Sequence, residues 1–178
     1  MDLSQTITIA IDAMGGDNAP DAPLRGAAIV AEDHPDVYYL VFGDENKIKA
    51  VLNDLPVLQS RATIRHTDKA ICDDDKPSAA LRQGKDSSMR LAIESVKNGE
   101  AVAVVSGGNT GALMALSKMV FKMVPGLHRP ALASLIPTIH GSTIMLDLGA
   151  NVLVDAENLV QFAVLGSVFA KVQYNTEC

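Results

Sequence analysis

Three short stretches carry side chains able to do chemistry: IAIDAMGGD at 9–17, VVSGGNTGAL at 104–113 and MLDLGAN at 145–151. Each is an apolar run that breaks into Gly, Asp, Asn or Ser. In the second, Gly107, Gly108 and Gly111 leave backbone N–H groups uncovered and tolerate positive φ. Ser106, Asn109 and Thr110 add small hydrogen-bonding side chains. A helix starting at such a turn aims its positive dipole end and its unpaired N–H groups at whatever sits there, an anion site that needs no lysine. The same residues also suit a plain strand-to-helix turn capped by Ser or Asn. At the other two stretches stand Asp12, Asp17, Asp147 and Asn151. Carboxylates in such loops serve as general bases, as metal ligands or, most commonly beside Gly, as fasteners of loop backbone.

Several chemistries are excluded by the same residues. The turn at 106–111 lacks Gly-Lys-Ser/Thr, so it is no nucleoside-triphosphate P-loop. Its glycines do not follow G-x-G-x-x-G, and no acidic residue ends the next strand to hold a ribose, so dinucleotide binding is not indicated. His34, His66, His128 and His140 stand in no metal-ligand or Ser/His spacing, and Cys72 and Cys178 form no metal or redox pair. No side chain stands out as an activated covalent nucleophile. A catalyst built on these residues takes its nucleophile from a substrate.

Composition is that of an ordinary globular domain: 48% hydrophobic, 20% charged, 13 Gly in 178 residues. The N-terminus shows no basic, then apolar, signal-peptide pattern, and no apolar run reaches the roughly 18 residues that a membrane span needs. A reduced, cytoplasmic location is expected, with no nucleic-acid partner. The net charge of −6 conceals an asymmetry. Residues 1–75 carry 6 Lys/Arg against 14 Asp/Glu, residues 76–145 carry 8 against 3, and residues 146–178 carry 1 against 4. The basic segment contains the glycine turn, which favours an anionic ligand or acidic partner beside it; solvated helix faces are the plain alternative. DDDK at 73–76 reads as a solvated turn.

The elements that must position these residues alternate. Strands are expected at 6–12, 37–43, 62–67 and 101–106, and helices at 21–33, 44–54, 88–99 and from about 109 to 124. Asp21 is expected to cap the first helix, and Asn98-Gly99 to stop the third. The stretch 76–89 reads as irregular. The continuous apolar run at 101–106 suits a parallel strand covered on both faces. Two more strands, 129–137 and 142–149, precede a helix from Ala156 to about Lys171, capped by Asp155. This order predicts a layered α/β/α fold with a mostly parallel sheet. Only Gln161 and Ser167 are polar within LVQFAVLGSVFA at 159–170, so that helix is expected to be buried or to lie in an interface.

Taken together, IAIDAMGGD, KDSSMRLAIESVKNGEA, VVSGGNTGALMAL, HRPALASLIPT and IMLDLGANV stand in an order and spacing that closely resembles the N-terminal half of the phosphate acyltransferases of bacterial phospholipid synthesis. The likeness runs from about residue 6 to about residue 171. It implies a fold similar to phosphate acetyltransferases and to isocitrate and isopropylmalate dehydrogenases. It implies transfer of a fatty acyl chain from acyl carrier protein to inorganic phosphate, giving acyl phosphate for phospholipid synthesis, without an organic cofactor or metal. A homodimer and peripheral association with the membrane are implied as well. Under this likeness Asp12, Asp17, Asp147 and Asn151 are the candidate catalytic residues, and Ser106, Gly107, Gly108, Asn109, Thr110 and Gly111 the phosphate-binding ones. Arg82, Lys85, Ser87 and Ser88 are the candidate substrate contacts.

Departures from the family pattern are equally specific. Members run to about twice this length, and their second half carries a Gly-Glu-Glu stretch followed by a lysine and an Asp-Gly-Phe-Thr-Gly-Asn stretch; neither is in this sequence. The whole chain, 1–178, is therefore expected to be the N-terminal part of one α/β domain, inactive by itself. Gly107 stands where the family usually has Ala, Leu153-Val154 where it has Asp-Cys, and Asn18-Ala19 where it often has Phe-Gly. The alternatives are a truncated, non-catalytic copy that keeps fold and dimer surface, and an enzyme similar to phosphate acetyltransferases or dehydrogenases.

Overall fold

The computed structural model describes residues 6–139 and 141–174. Of the residues discussed above, His140 and Cys178 lie outside the described residues. The chain divides into two compact units, Met1–Phe121 and Lys122–Cys178.

The first unit is a parallel sheet sandwiched by helices. Its strands are β1 (Ile7–Asp12), β2 (Val37–Gly43), β3 (Ala62–His66) and β4 (Ala103–Ser106), in the order β3-β2-β1-β4, all parallel. Its helices are α1 (Asp21–Asp33), α2 (Glu45–Leu52), α3 (Pro56–Gln59), α4 (Pro77–Gln83), α5 (Ser88–Lys97) and α6 (Thr110–Phe121). Alternation along the strands sends side chains to opposite faces. Ile11, Val37, Tyr39 and Val41 meet Leu24, Ala28, Ile48 and Leu58 of α1, α2 and α3 on one face. Ala10, Leu40 and Phe42 meet Ala92 of α5 on the other. A further cluster, Met89, Ile93, Ala112, Leu116 and Val120, ties α5 to α6.

Three local expectations need correction, and a fourth needs extending. Asp21 does not cap α1: Pro20 holds that position without a side-chain cap, and Asp21 instead pairs with Arg25 one turn on, at 2.8 Å. The stretch read as irregular contains α4, whose Pro77 sits in the first turn, where a missing N–H costs nothing. Strand β4 is not covered on both faces. It is the sheet edge; Val105, on the face shared with α1, is 54% exposed. DDDK is an exposed turn as read, but more than solvent meets it, because the Asp73 and Asp75 carbonyls accept from Asn109.

Two helix ends are set by local residues, the second of them the stop expected at Asn98-Gly99. Asp44 caps α2 by accepting from the N–H groups of Asn46 and Lys47, and Gly99, at φ +77°, ends α5 in a conformation that side chains rarely adopt.

The second unit holds an antiparallel pair, β5 (Ala133–Thr138) and β6 (Gly141–Leu146), and the long helix α7 (Ala156–Tyr174). The pair joins through a tight connection, which permits only the antiparallel arrangement; a parallel one needs a crossover. Asp155 caps α7 as its sequence suggests, its Oδ1 accepting from the N–H of Asn158 at 2.8 Å. One face of α7 is buried through Asn158, Gln161, Phe162 and Ala170. On the opposite side Val160, Val164 and Val168 are exposed; Leu159 and Val172 are exposed at its borders, and Phe169, one heptad beyond Phe162, is exposed on the packed side. The wholly apolar character of this helix thus divides into a face packed within the unit and a face open in the single chain.

Candidate functional site

β1 and β4 are neighbours in register, Asp12 opposite Ser106, so the loops that follow them leave the sheet side by side. Both are glycine loops, and they touch backbone to backbone. A Cβ on Gly108 would stand 3.0 Å from the Gly15 Cα, and one on Gly15 would stand 2.9 Å from the Gly108 nitrogen. Gly16, at φ +98°, would bring a Cβ to 2.9 Å from the Gly107 carbonyl oxygen. A side chain is crowded out at Gly15, Gly16 and Gly108, while a Cβ on Gly107 would meet only the Gly15 carbonyl oxygen at an ordinary 3.4 Å.

Asp12 fastens the seam from below. It is 1% exposed; its Oδ2 accepts from the Ser106 hydroxyl at 2.7 Å and its Oδ1 from the Met14 N–H at 3.3 Å. Ser106 Oγ accepts in turn from the Gly108 N–H at 3.2 Å. A chain of bonds therefore runs from one loop through Asp12 and Ser106 into the other. Asp12 is buried and holds both loops. Asp17, further along the first loop, is exposed.

α6 begins at the end of this seam. Asn109 caps it, its Oδ1 accepting from the Ala112 N–H at 2.9 Å. The first N–H groups of a helix have no acceptor within it, so those of Thr110 and Gly111 point out of the N-terminus. Asn109 does not add a side-chain donor for phosphate, as its type suggests. Its amide nitrogen lies 2.8 Å from each of the Asp73 and Asp75 carbonyls and 3.4 Å from that of Cys72.

The candidate substrate contacts separate into two kinds. Arg82 and Lys85 are exposed, Arg82 donating to the Ser78 carbonyl of its own helix. Ser87 and Ser88 are each 1% exposed. Ser87 caps α5, accepting from the Arg90 N–H and donating to the Gly84 carbonyl at 2.8 Å. Ser88 packs inward behind it. A serine pair at a helix start reads from sequence as a pair of ligands, while capping consumes one hydroxyl and burial removes the other from solvent.

Asp147 and Asn151 form a cluster of their own in the second unit. Asp147 accepts from the Leu132 N–H at 2.9 Å, and from the Asn151 N–H and side-chain amide at 2.9 and 3.0 Å. Asn151 also donates to the Pro130 carbonyl at 2.9 Å. Partial burial pushes the Asp147 carboxyl upward. The bonds from Leu132, Asn151 and Ala150 outweigh it and hold the group below the usual carboxylate range. This is a carboxylate that fixes backbone and stays ionised.

Among the described residues no group of three or more His, Cys, Asp or Glu side chains is placed to hold a metal ion, and no helix is long and apolar enough to cross a membrane. The sequence marks neither Gly15 nor Gly16 as a site residue and suggests only solvent for the turn at 73–76. The paired glycines carried a signal, since two adjacent glycines after a buried strand mark a close backbone approach. The turn had none.

Comparison with known proteins places this geometry. A phosphotransacetylase from Streptococcus pyogenes shares the fold, with a TM-score of 0.67 at 19% identity over 96% of this chain and 55% of its own. Phosphate acyltransferases from Rhodospirillum centenum and Paramagnetospirillum magneticum are 55% and 52% identical over 169 residues, 95% of this chain. The chain spans about half the length of these relatives, 48% in both cases. The family model described as fatty acid synthesis protein matches residues 7–177. The chain therefore belongs to the fatty acid synthesis protein family and corresponds to about half of the phosphate acyltransferases that resemble it.

Proposed function

We propose that this chain is the phosphate-holding part of an acyltransferase that moves a fatty acyl group from acyl carrier protein to inorganic phosphate, giving acyl phosphate for phospholipid synthesis. The observation that supports it is the seam of two glycine loops at the neighbouring ends of β1 and β4, opening onto the N-terminus of α6. In open α/β sheets ligands bind at the carboxyl ends of strands. Glycine backbone there, beside the first N–H groups and the dipole of a helix, suits a phosphate dianion.

The chemistry asks little else of the protein. A phosphate oxygen adds to the thioester carbon, the resulting oxyanion collapses, and the carbon–sulfur bond breaks. The sulfur leaves as a thiolate and takes a proton, so no covalent enzyme nucleophile and no organic cofactor are needed. The chain's part is to hold the attacking oxygen in line. Exposed Lys76, Arg82 and Lys85 offer an acidic carrier protein a basic surface. Titration of the chain with inorganic phosphate, followed by amide NMR, is expected to move the Gly107, Thr110 and Gly111 signals saturably. Shifts spread elsewhere, with these three unmoved, would remove the reading.

A homodimer, and peripheral contact with the cytoplasmic face of the membrane, belong to the same proposal. The open face of α7 supports the dimer. Burying side chains such as Leu159, Val164 and Val168 stabilises by about 1.5–3 kcal/mol each. The double variant Leu159→Asp, Val164→Asp is expected to convert a dimer to a monomer in sedimentation velocity. A wild-type chain that is already monomeric would contradict it. Phe162, at 5% exposed, is already buried within the unit and takes no part.

A further inference from the structure

The N-terminus of α6 is not bare. We propose that Asn109 is a latch that holds the acidic turn 72–75 against this helix end, so that the turn competes with an anion for it. The consequence rests on the phosphate reading above; the geometry does not. A primary amide has two protons to give. Asn109 directs them at three carbonyl oxygens, those of Cys72, Asp73 and Asp75, while its own oxygen caps the helix through the Ala112 N–H. One side chain thus joins turn and helix.

The turn it holds is a closed unit. The Asp75 N–H donates to the Cys72 carbonyl at 3.1 Å, and the Asp75 carboxylate accepts from the Cys72 N–H at 2.9 Å. The segment that follows rests on the same helix end: a Cβ on Gly111 would stand 2.9 Å from the Pro77 Cγ. Carbonyl oxygens are the negative ends of peptide dipoles, and here they converge beside a helix end whose N–H groups carry the opposite sign. The carboxylates of Asp73, Asp74 and Asp75 are exposed on the same turn. A phosphate dianion approaching the Thr110 and Gly111 N–H groups meets this negative turn first. Releasing the turn removes the competing dipoles; the Asn109 amide has to let go, while Ile71 and Ala80 on either side stay packed with Ala112 and Leu116. Asn109 is therefore a positioning residue for the strap rather than a ligand of the anion.

Asn109→Ser separates the latch from the cap, because serine is an equally good cap but is too short to span three carbonyls. Hydrogen exchange is the first measurement. The amides of 72–76 are expected to exchange about tenfold faster in the variant, the consequence of losing two hydrogen bonds, with α6 protection retained. Unchanged exchange at 72–76 overturns the latch. Calorimetric titration with inorganic phosphate is the second. The dissociation constant is expected to fall by about threefold as the open population rises. Asp73→Asn, Asp74→Asn, which leaves Asn109 and Asp75 intact, is expected to lower it at low salt and to converge on wild type at high salt. Faster exchange with unchanged or weaker phosphate binding overturns the competition. Phosphate binding by none of the three proteins overturns the competition together with the phosphate reading, while the exchange rates decide the latch by themselves.

Discussion

Purified chain incubated with fatty acyl carrier protein and inorganic phosphate is expected to release no carrier thiol beyond background hydrolysis. The chain corresponds to 48% of the length of its phosphate acyltransferase relatives. Among the described residues no strand pairs with the outer edge of β4, whose Val105 lies open. A turn that holds phosphate without groups to orient the thioester carbonyl gains little of the rate. Misplacing a reactant by about an ångström costs on the order of a hundredfold, and lacking the facing groups altogether costs more. Co-expression with the remaining half of the Rhodospirillum centenum relative is expected to restore phosphate-dependent thiol release. Turnover near ~1 s⁻¹ by the chain alone, the low end of ordinary enzyme rates, would mean that residues 1–178 hold a complete site. Asp12, Asp17, Asn109, Asp147 and Asn151 would then be the positions to replace first.

Gly108→Val is expected to abolish phosphate binding and to destabilise the first unit. The new Cβ would stand 3.0 Å from the Gly15 Cα and 3.3 Å from the Met89 Cε. The methionine tip can yield, but the glycine backbone cannot, because Gly15 is itself hemmed in by Asp12 and Ser106. Overpacking of this kind costs about 1–3 kcal/mol, or roughly 2–12 °C in Tm for a chain of this size. The loops would part, and the bond from the Gly108 N–H to Ser106 would break. Gly26→Ala is the contrasting case. It lies within α1 with nothing within 4 Å of a new Cβ, so removing a helix glycine there is expected to stabilise by about 0.5–1 kcal/mol. Thermal unfolding and phosphate calorimetry on both variants check the pair. A Gly108→Val protein with wild-type Tm and phosphate affinity would show that the seam is loose.

The origin of the seam shows how sequence and structure divide the explanation. Glycine pairs after apolar strands mark two tight loops, but their mutual contact follows from sheet order, because β1 and β4 are neighbours although 90 residues separate the end of one from the start of the other. Asp12 is legible as a loop carboxylate. Its partner Ser106 is not, since the pairing crosses 94 residues of chain. Asn109 shows the opposite case: its type and place at a helix start are those of a ligand donor, and its actual acceptors come from a turn about 35 residues earlier whose sequence suggests only solvent.

What the sequence by itself determined was the alternation of strands and helices, the cap at Asp155, and the stop at Gly99. These depend on apolar period and on hydrogen bonds made within one turn, which local residues decide. The family was legible too, from five motifs in order. Tertiary structure alone decided which candidates stay exposed and which are buried or hold backbone. It buried Ser87 and Ser88, turned Asp12 and Asp147 to loop fastening, gave Asn109 to the turn at 72–75, and placed β4 at an edge. The physical reason is common to all of them: a polar side chain spends its few hydrogen bonds on whichever partners the fold brings within about 3 Å, and long-range packing selects those partners.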